Sequence, residues 1–193
     1  MGELRLIYGT MAAGKSTMAL QLAWQLAKGH HAVSLWTFGD RSGDSFVTSR
    51  IGVTAPATAV RPGADLSKAC AELVGDGVSV LIIDEVQFAT TEQIDQLALL
   101  VDEHDMDVHC FGLGADFLLE PFAGTSRLFA IADFVTELPL AAYCWCGRRG
   151  RCNARVSDGV VQRAGGQHLV GDTSGDISYQ VLCRRHYHAG QLG

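Results

Sequence analysis

Leu4-Arg5-Leu6-Ile7-Tyr8, followed by Gly9-Thr10-Met11-Ala12-Ala13-Gly14-Lys15-Ser16, decides the fold class. The first five residues read as a short buried strand. Residues 15–28 read as a helix, with Leu22 and Leu26 four apart and Ala19 and Ala23 beside them. Between strand and helix, Gly9 to Ser16 fits G-x-x-x-x-G-K-[ST]. The glycines let backbone N–H groups curl around a phosphate, and the helix points its positive end at the same place. Lys15 is placed to reach the outer phosphates, and the Ser16 hydroxyl to hold Mg²⁺. A Gly-rich turn with a surface lysine is the bland alternative, and it would not require this strand–loop–helix context.

Outward from the loop, residues 32–37 predict a second strand, residues 39–62 a long loop rich in Gly, Ser, Thr and Asp, and residues 66–74 a helix ended by Gly75-Asp76-Gly77. Residues 78–83, Val-Ser-Val-Leu-Ile-Ile, form the clearest strand, apolar enough for a parallel strand covered on both faces. Thr90 and Gln93 make a capping box before a helix whose apolar face is Ile94, Leu97, Ala98 and Val101. Residues 108–113 predict another strand, residues 122–132 a helix and residues 134–138 a last core strand. Strands alternating with helices imply an α/β fold with a largely parallel sheet. From Tyr143 onward cysteine, arginine and glycine dominate, so a boundary is set near Leu140, dividing residues 1–140 from 141–193.

Two further groups carry chemistry. Asp84 and Glu85 follow the residue 78–83 strand at its C-terminal end. An acid there helps hold Mg²⁺ in P-loop proteins, which suits Asp84. Glu85 is then placed to accept the proton of an attacking hydroxyl; its alternative is a strand-end charge or a second acid serving the metal. Cys144-Trp-Cys146 and Cys183-Arg-Arg-His186 are two ligand pairs that suit tetrahedral Zn²⁺, with Cys152 and His188 as rival ligands. Cys70 and Cys110 fall in predicted core elements.

Composition narrows the classes. With 193 residues, 48% hydrophobic and 19% charged, the chain holds one moderate domain and a small appendage. A formal net charge of −6 argues against broad nucleic-acid binding. No run approaches the ~20 apolar residues of a membrane span, and residues 1–8 are too short and mixed for a signal peptide. A cytoplasmic protein with reduced thiols is expected, in which six cysteines serve packing, metal or reactivity.

Taken together, the P-loop, Asp84-Glu85-Val86-Gln87-Phe88 and the C-terminal Cys/His module resemble the type II thymidine kinases, over about residues 4–187. The resemblance implies a RecA-like parallel sheet flanked by helices, with a small zinc-binding domain whose lasso loop closes over the nucleoside. It implies transfer of the γ-phosphate of ATP, with Mg²⁺, to the 5′-hydroxyl of thymidine. Gly9, Thr10, Met11, Ala12, Ala13, Gly14, Lys15, Ser16 and Thr17 would bind ATP, with Met11 beneath the nucleoside. Asp84 would serve the metal. Asp40 and Arg41 would assist with metal and phosphate, and Glu85 would be the general base. Gln87 and Phe88 belong to the same motif. Leu113, Phe117 and Phe122 match apolar positions around the thymine. The backbone near Leu169, Val170 and Gly171 would pair with the base, and Tyr179 would contact the deoxyribose. Cys144, Cys146, Cys183 and His186 align with structural zinc ligands. A homotetramer and feedback inhibition by dTTP are further family expectations. Asn153 falls roughly where the family has a Thr near the base.

Two competing classes share some of these features. A P-loop ATPase would keep Gly9–Ser16 and Asp84 but turn over without an acceptor. A binding module would use Arg148, Arg149, Arg151, Arg155, Arg184 and Arg185 to grip phosphates; in an acidic chain they read better as a solvated or subunit-facing surface.

Overall fold

The structure, a computed structural model, describes residues 1–38, 45–140, 142–166 and 177–193. In chain order the elements are β1 (Leu4–Gly9), α1 (Lys15–Lys28), β2 (Val33–Phe38), β3 (Phe46–Thr48), β4 (Thr54–Pro56), β5 (Thr58–Val60), α2 (Ser67–Gly75) and β6 (Val80–Asp84). A 3₁₀ turn (Val86–Phe88) precedes α3 (Thr91–His104), β7 (Asp107–Leu113), α4 (Ala123–Ile131), β8 (Phe134–Glu137), β9 (Cys152–Ser157), β10 (Val160–Val161), β11 (Ile177–Leu182) and α5 (Arg184–Ala189).

Six strands form one sheet in the order β5-β2-β6-β7-β1-β8, and each neighbouring pair is parallel. All five residues of β6 are buried, because helices cover the sheet on both faces. The period of two sorts them. Val80 and Ile82 join the cluster under Ala19, Leu22 and Leu26 of α1. Leu81 and Ile83 join the opposite cluster, with Leu73 of α2, Ile94, Leu97 and Val101 of α3 and Leu128 of α4. The expected α/β fold is therefore present, with the phosphate loop at the C-terminal end of β1.

The Thr90–Gln93 capping box forms in both directions. Gln93 also donates from Nε2 to the Arg61 and Ala64 carbonyls, both at 2.9 Å, so the helix start anchors the preceding loop.

Two expectations change. Residues 39–62 do not read through as loop: β3 and β4 make a hairpin, and β5 adds a strand at the sheet edge. Strands of three residues are too short to declare a period. The strand near residue 134 is an edge strand rather than a core strand. Phe134 and Val135 are exposed, and the Arg5 guanidinium covers the Phe134 ring at 4.5 Å.

Beyond residue 142, β10, β9 and β11 form a small antiparallel sheet. Cys152 and Ala154 of β9 pack with Leu182, Cys183 and Tyr187 in a separate cluster. Asn153 and Arg155 alternate to the other face. Glu137 of β8 accepts hydrogen bonds from Arg149 at 2.8 Å and Arg151 at 2.7 Å, tying this part to the parallel sheet. Those two arginines are therefore paired, and Arg155 is buried, so the sequence's basic cluster is not one surface. Among the described residues no helix is long and apolar enough to cross a membrane.

Candidate active site and metal centre

Gly14 supplies the N-cap of α1 with φ +86°, a left-handed conformation that glycine adopts without strain, and no side chain caps the helix. The start of α3 is closed by its own side chains; the start of α1 lacks such a side-chain cap, as an anion site requires. Lys15 is buried, and its Nζ donates to the Thr10 carbonyl at 3.0 Å. Burial pushes its pKa down, while the negative charges of Glu85 and Asp84 oppose that and Arg50 adds to it. An ammonium held in the loop without full solvation is suited to a phosphate.

Asp84 ends β6 and is buried. Burial first, then the charge of Glu85, push its carboxyl up to about 6; the Ser16 hydroxyl, the Glu85 backbone N–H and Lys15 favour the ionised form. Asp84 Oδ1 has no hydrogen-bond partner among the described residues. An orphaned carboxylate oxygen beside a hydroxyl and a phosphate loop fits a hard, oxygen-seeking cation, so Asp84 and Ser16 fit Mg²⁺.

The chain turns sharply at Glu85, whose φ is +56°. The half-buried Glu85 carboxylate accepts a hydrogen bond from Gln87 Nε2. Gln87 itself is buried, and its Oε1 accepts from the Leu113 N–H at 3.0 Å. Gln87 thus links the candidate base to the end of β7. Phe88 packs edge-on against Phe122, with centroids 6.0 Å apart.

Phe117 and Phe122 are both buried. The Tyr187 hydroxyl donates to the Phe117 carbonyl. Arg155 Nε donates to the Tyr179 hydroxyl at 3.0 Å. Asn153 bridges two loops: its Oδ1 accepts from the Met11 N–H at 2.8 Å, and its Nδ2 donates to the Ala115 carbonyl at 3.3 Å. The expected sites at Asp40, Arg41, Leu169, Val170 and Gly171 lie outside the described residues.

Cys144, Cys146, Cys183 and His186 bring their ligand atoms within 4.8 Å of one another. Cys144 Sγ lies 3.3 Å from His186 Nδ1, and the Cys146 and Cys183 sulfurs are 3.9 Å apart. Thiolates on tetrahedral zinc sit ~3.8 Å from each other, so the set fits Zn²⁺. Burial pushes the Cys144 thiol up, but the N–H groups of Cys146 and Cys183 and the His186 ring outweigh it and bring it down to about 6. The thiolate is the form a metal binds. Trp145 stacks on His186, with centroids 4.3 Å apart and planes 7° apart, which fixes the ring. Of the rival ligands, Cys152 is buried in the same cluster as Cys144 and Cys183 but is not one of the four that converge, and His188 packs edge-on to Tyr187 at 5.4 Å.

The sequence assigns no site role to Arg50 or Asp116, and it places Arg155 only in a cluster of arginines. Arg50 sits in the short hairpin and acts on Lys15 through charge. Asp116 Oδ1 accepts from the Leu118 and Glu120 N–H groups at 2.8 and 2.9 Å, shaping the turn around Phe117. An Asp that accepts from the N–H two residues on makes an Asx-turn, a signal that could have revealed it.

This is a P-loop nucleotide-binding α/β protein with a Cys₃His module packed beside the phosphate loop. The thymidine kinase family model matches residues 2–187. A thymidine kinase of Cutibacterium acnes is 44% identical over 197 residues, covering 100% of this chain and 91% of that protein. One of Streptomyces avermitilis is 42% identical over 97% of this chain and 89% of that protein. One of Coxiella burnetii is 34% identical over 99% and 97% respectively. The chain belongs to the thymidine kinase family and is an ATP-dependent kinase.

Proposed function

We propose that the protein transfers the γ-phosphoryl group of ATP to the 5′-hydroxyl of thymidine, giving dTMP. The observation that carries this reading is the meeting of Lys15, Ser16, Asp84 and Glu85 at the C-terminal ends of β1 and β6. Gly9 to Thr17 bind the ATP phosphates, and Lys15 offsets charge spreading over the transferred group. When bound with ATP, Mg²⁺ held by Ser16 and Asp84 supplies further charge neutralisation. Glu85, oriented by Gln87, accepts the proton of the attacking hydroxyl.

In this reading residues 1–140 bind ATP and residues 141–193 form the zinc-stapled module that closes over the nucleoside. Met11, Gln87, Phe88, Leu113, Phe117, Phe122 and Tyr179 line the nucleoside. Family membership further supports a cytoplasmic homotetramer restrained by dTTP.

The test is ADP release from ATP·Mg²⁺ with thymidine, deoxycytidine or no acceptor. Stimulation by thymidine alone supports the proposal. Stimulation by both nucleosides keeps the transfer and removes the selective pocket. Equal turnover without an acceptor leaves an ATPase and overturns it.

A further inference from the structure

We propose that Arg155 is a positioning residue for nucleoside selection, holding the pocket wall in shape without touching the phosphates. The inference rests on the reading of Phe117 and Tyr179 as that wall.

Arg155 lies on β9 with 2% exposure. Burying a guanidinium is costly unless its donors are met, so a buried Arg is held in one geometry by the groups that meet them. Its flat fork is used in several contacts among the described residues. Its Cζ lies 3.6 Å from the Phe117 ring centroid. Its Nε donates to the Tyr179 hydroxyl at 3.0 Å. Its Nη1 and Nη2 both donate to the Gly166 carbonyl, at 3.0 and 3.1 Å. One rigid group therefore sets the plane of an aromatic ring, the place of a phenol and the carbonyl that leads into residue 167.

Gly165 suits the arrangement, because its backbone conformation is one that side chains rarely adopt. Its φ is +131°, and a Cβ there would lie 3.3 Å from Arg155 Nη1 and 3.7 Å from Phe117 Cζ. A side chain there would press on the guanidinium by a few tenths of an ångström. The backbone of Phe117 is separately fixed by the Tyr187 hydroxyl at 2.6 Å, so Arg155 governs chiefly the ring. A lysine could supply the charge but neither the flat stack nor the two-pronged donation. The same β9 face carries Asn153, which holds Met11 and Ala115, so strand β9 sets both the loop beneath the nucleoside and the wall beside it.

The experiment measures KM and kcat for thymidine and KM for ATP in Arg155→Ala, Arg155→Lys and Phe117→Ala, with zinc content of each. Loss of the hydrogen bonds to Tyr179 and Gly166 together with the stack raises thymidine KM roughly tenfold or more. The expected result is that rise in both Arg155 variants, with ATP KM within about twofold of the parent and zinc stoichiometry unchanged. Should Arg155→Ala fail to fold, Arg155→Lys decides. Parent-like thymidine KM in the Arg155 variants, with Phe117→Ala impaired, overturns the inference and leaves the pocket reading standing. Parent-like thymidine KM in Phe117→Ala overturns both. A parallel rise in ATP KM with loss of zinc makes Arg155 a structural residue and overturns the inference.

Discussion

The Tyr187 hydroxyl donates a 2.6 Å hydrogen bond to the carbonyl of Phe117, 70 residues away in sequence. Tyr187 directly follows His186 on α5 and packs with Cys144, Cys183 and Leu182. The candidate zinc ligands and the candidate nucleoside wall are thus joined by one buried bond and one shared cluster. A metal that orders α5 also orders Phe117.

That linkage predicts the effect of metal removal. Cys183→Ser, or chelation of the native protein, should raise the KM for thymidine more than that for ATP, because Lys15 opens α1 and Asp84 ends β6, both outside the cysteine-bearing module. Tyr187→Phe isolates the bond: it leaves a buried carbonyl without its partner and should cost about 1–3 kcal/mol of stability with zinc retained. Steady-state KM for each substrate checks the first, and thermal unfolding with metal analysis the second; equal loss of the two substrates' affinities would break the proposed linkage.

Glu85 is predicted to be dispensable for binding ATP and needed for transfer. Glu85→Gln keeps the shape and keeps a hydrogen bond with Gln87 available. Removing a general base slows turnover by roughly 10²–10⁴-fold. Steady-state kcat beside a direct ATP-binding measurement separates the two effects; near-parent turnover removes Glu85 from the role.

Much of this was legible because it lives in local pattern. The P-loop declared itself through strand, glycines and helix, and β6 through an apolar run. The capping box at Thr90 and Gln93 was readable as two residues at a fixed spacing, and it formed. What was hidden depends on long-range placement. Arg155 looked like one of a run of surface arginines because burial is not a local property; its alternation with Ala154 becomes meaningful only once β9 pairs with β11. Residues 46–60 hid three short strands because each is only three residues long. Phe134 read as core because hydrophobicity does not tell an edge strand from a central one.

Asp84 is predicted to trade stability for metal binding. Its Oδ1 is buried without a partner among the described residues, and an unmet polar atom of this kind costs about 1–3 kcal/mol. Asp84→Asn removes the buried charge next to Glu85, so the variant free of nucleotide should melt several degrees higher than the parent. Turnover with Mg²⁺ and ATP should be largely lost. Melting curves with and without Mg²⁺·ATP check this: the parent gains stability from the ligand and the variant gains little. A variant that melts below the parent without ligand contradicts the argument.

The last prediction concerns acid. His109 sits half-buried on β7, paired in register with Arg5 of β1 and Ile82 of β6. Burial first, and then the Arg5 guanidinium, lower its pKa from the usual 6.5, with Asp107 pulling the other way. The sign follows from proton uptake. Below pH 6.5 the unfolded chain's His109 binds its proton while the folded one resists, so unfolding takes up protons. The stabilising contribution is whole above pH 6.5 and declines as the pH falls below it. His109→Gln has no proton to bind, and its melting temperature should fall less than the parent's between pH 7.5 and 5.5. Equal falls in the two proteins would mean that His109 is protonated as readily in the sheet as in the unfolded chain.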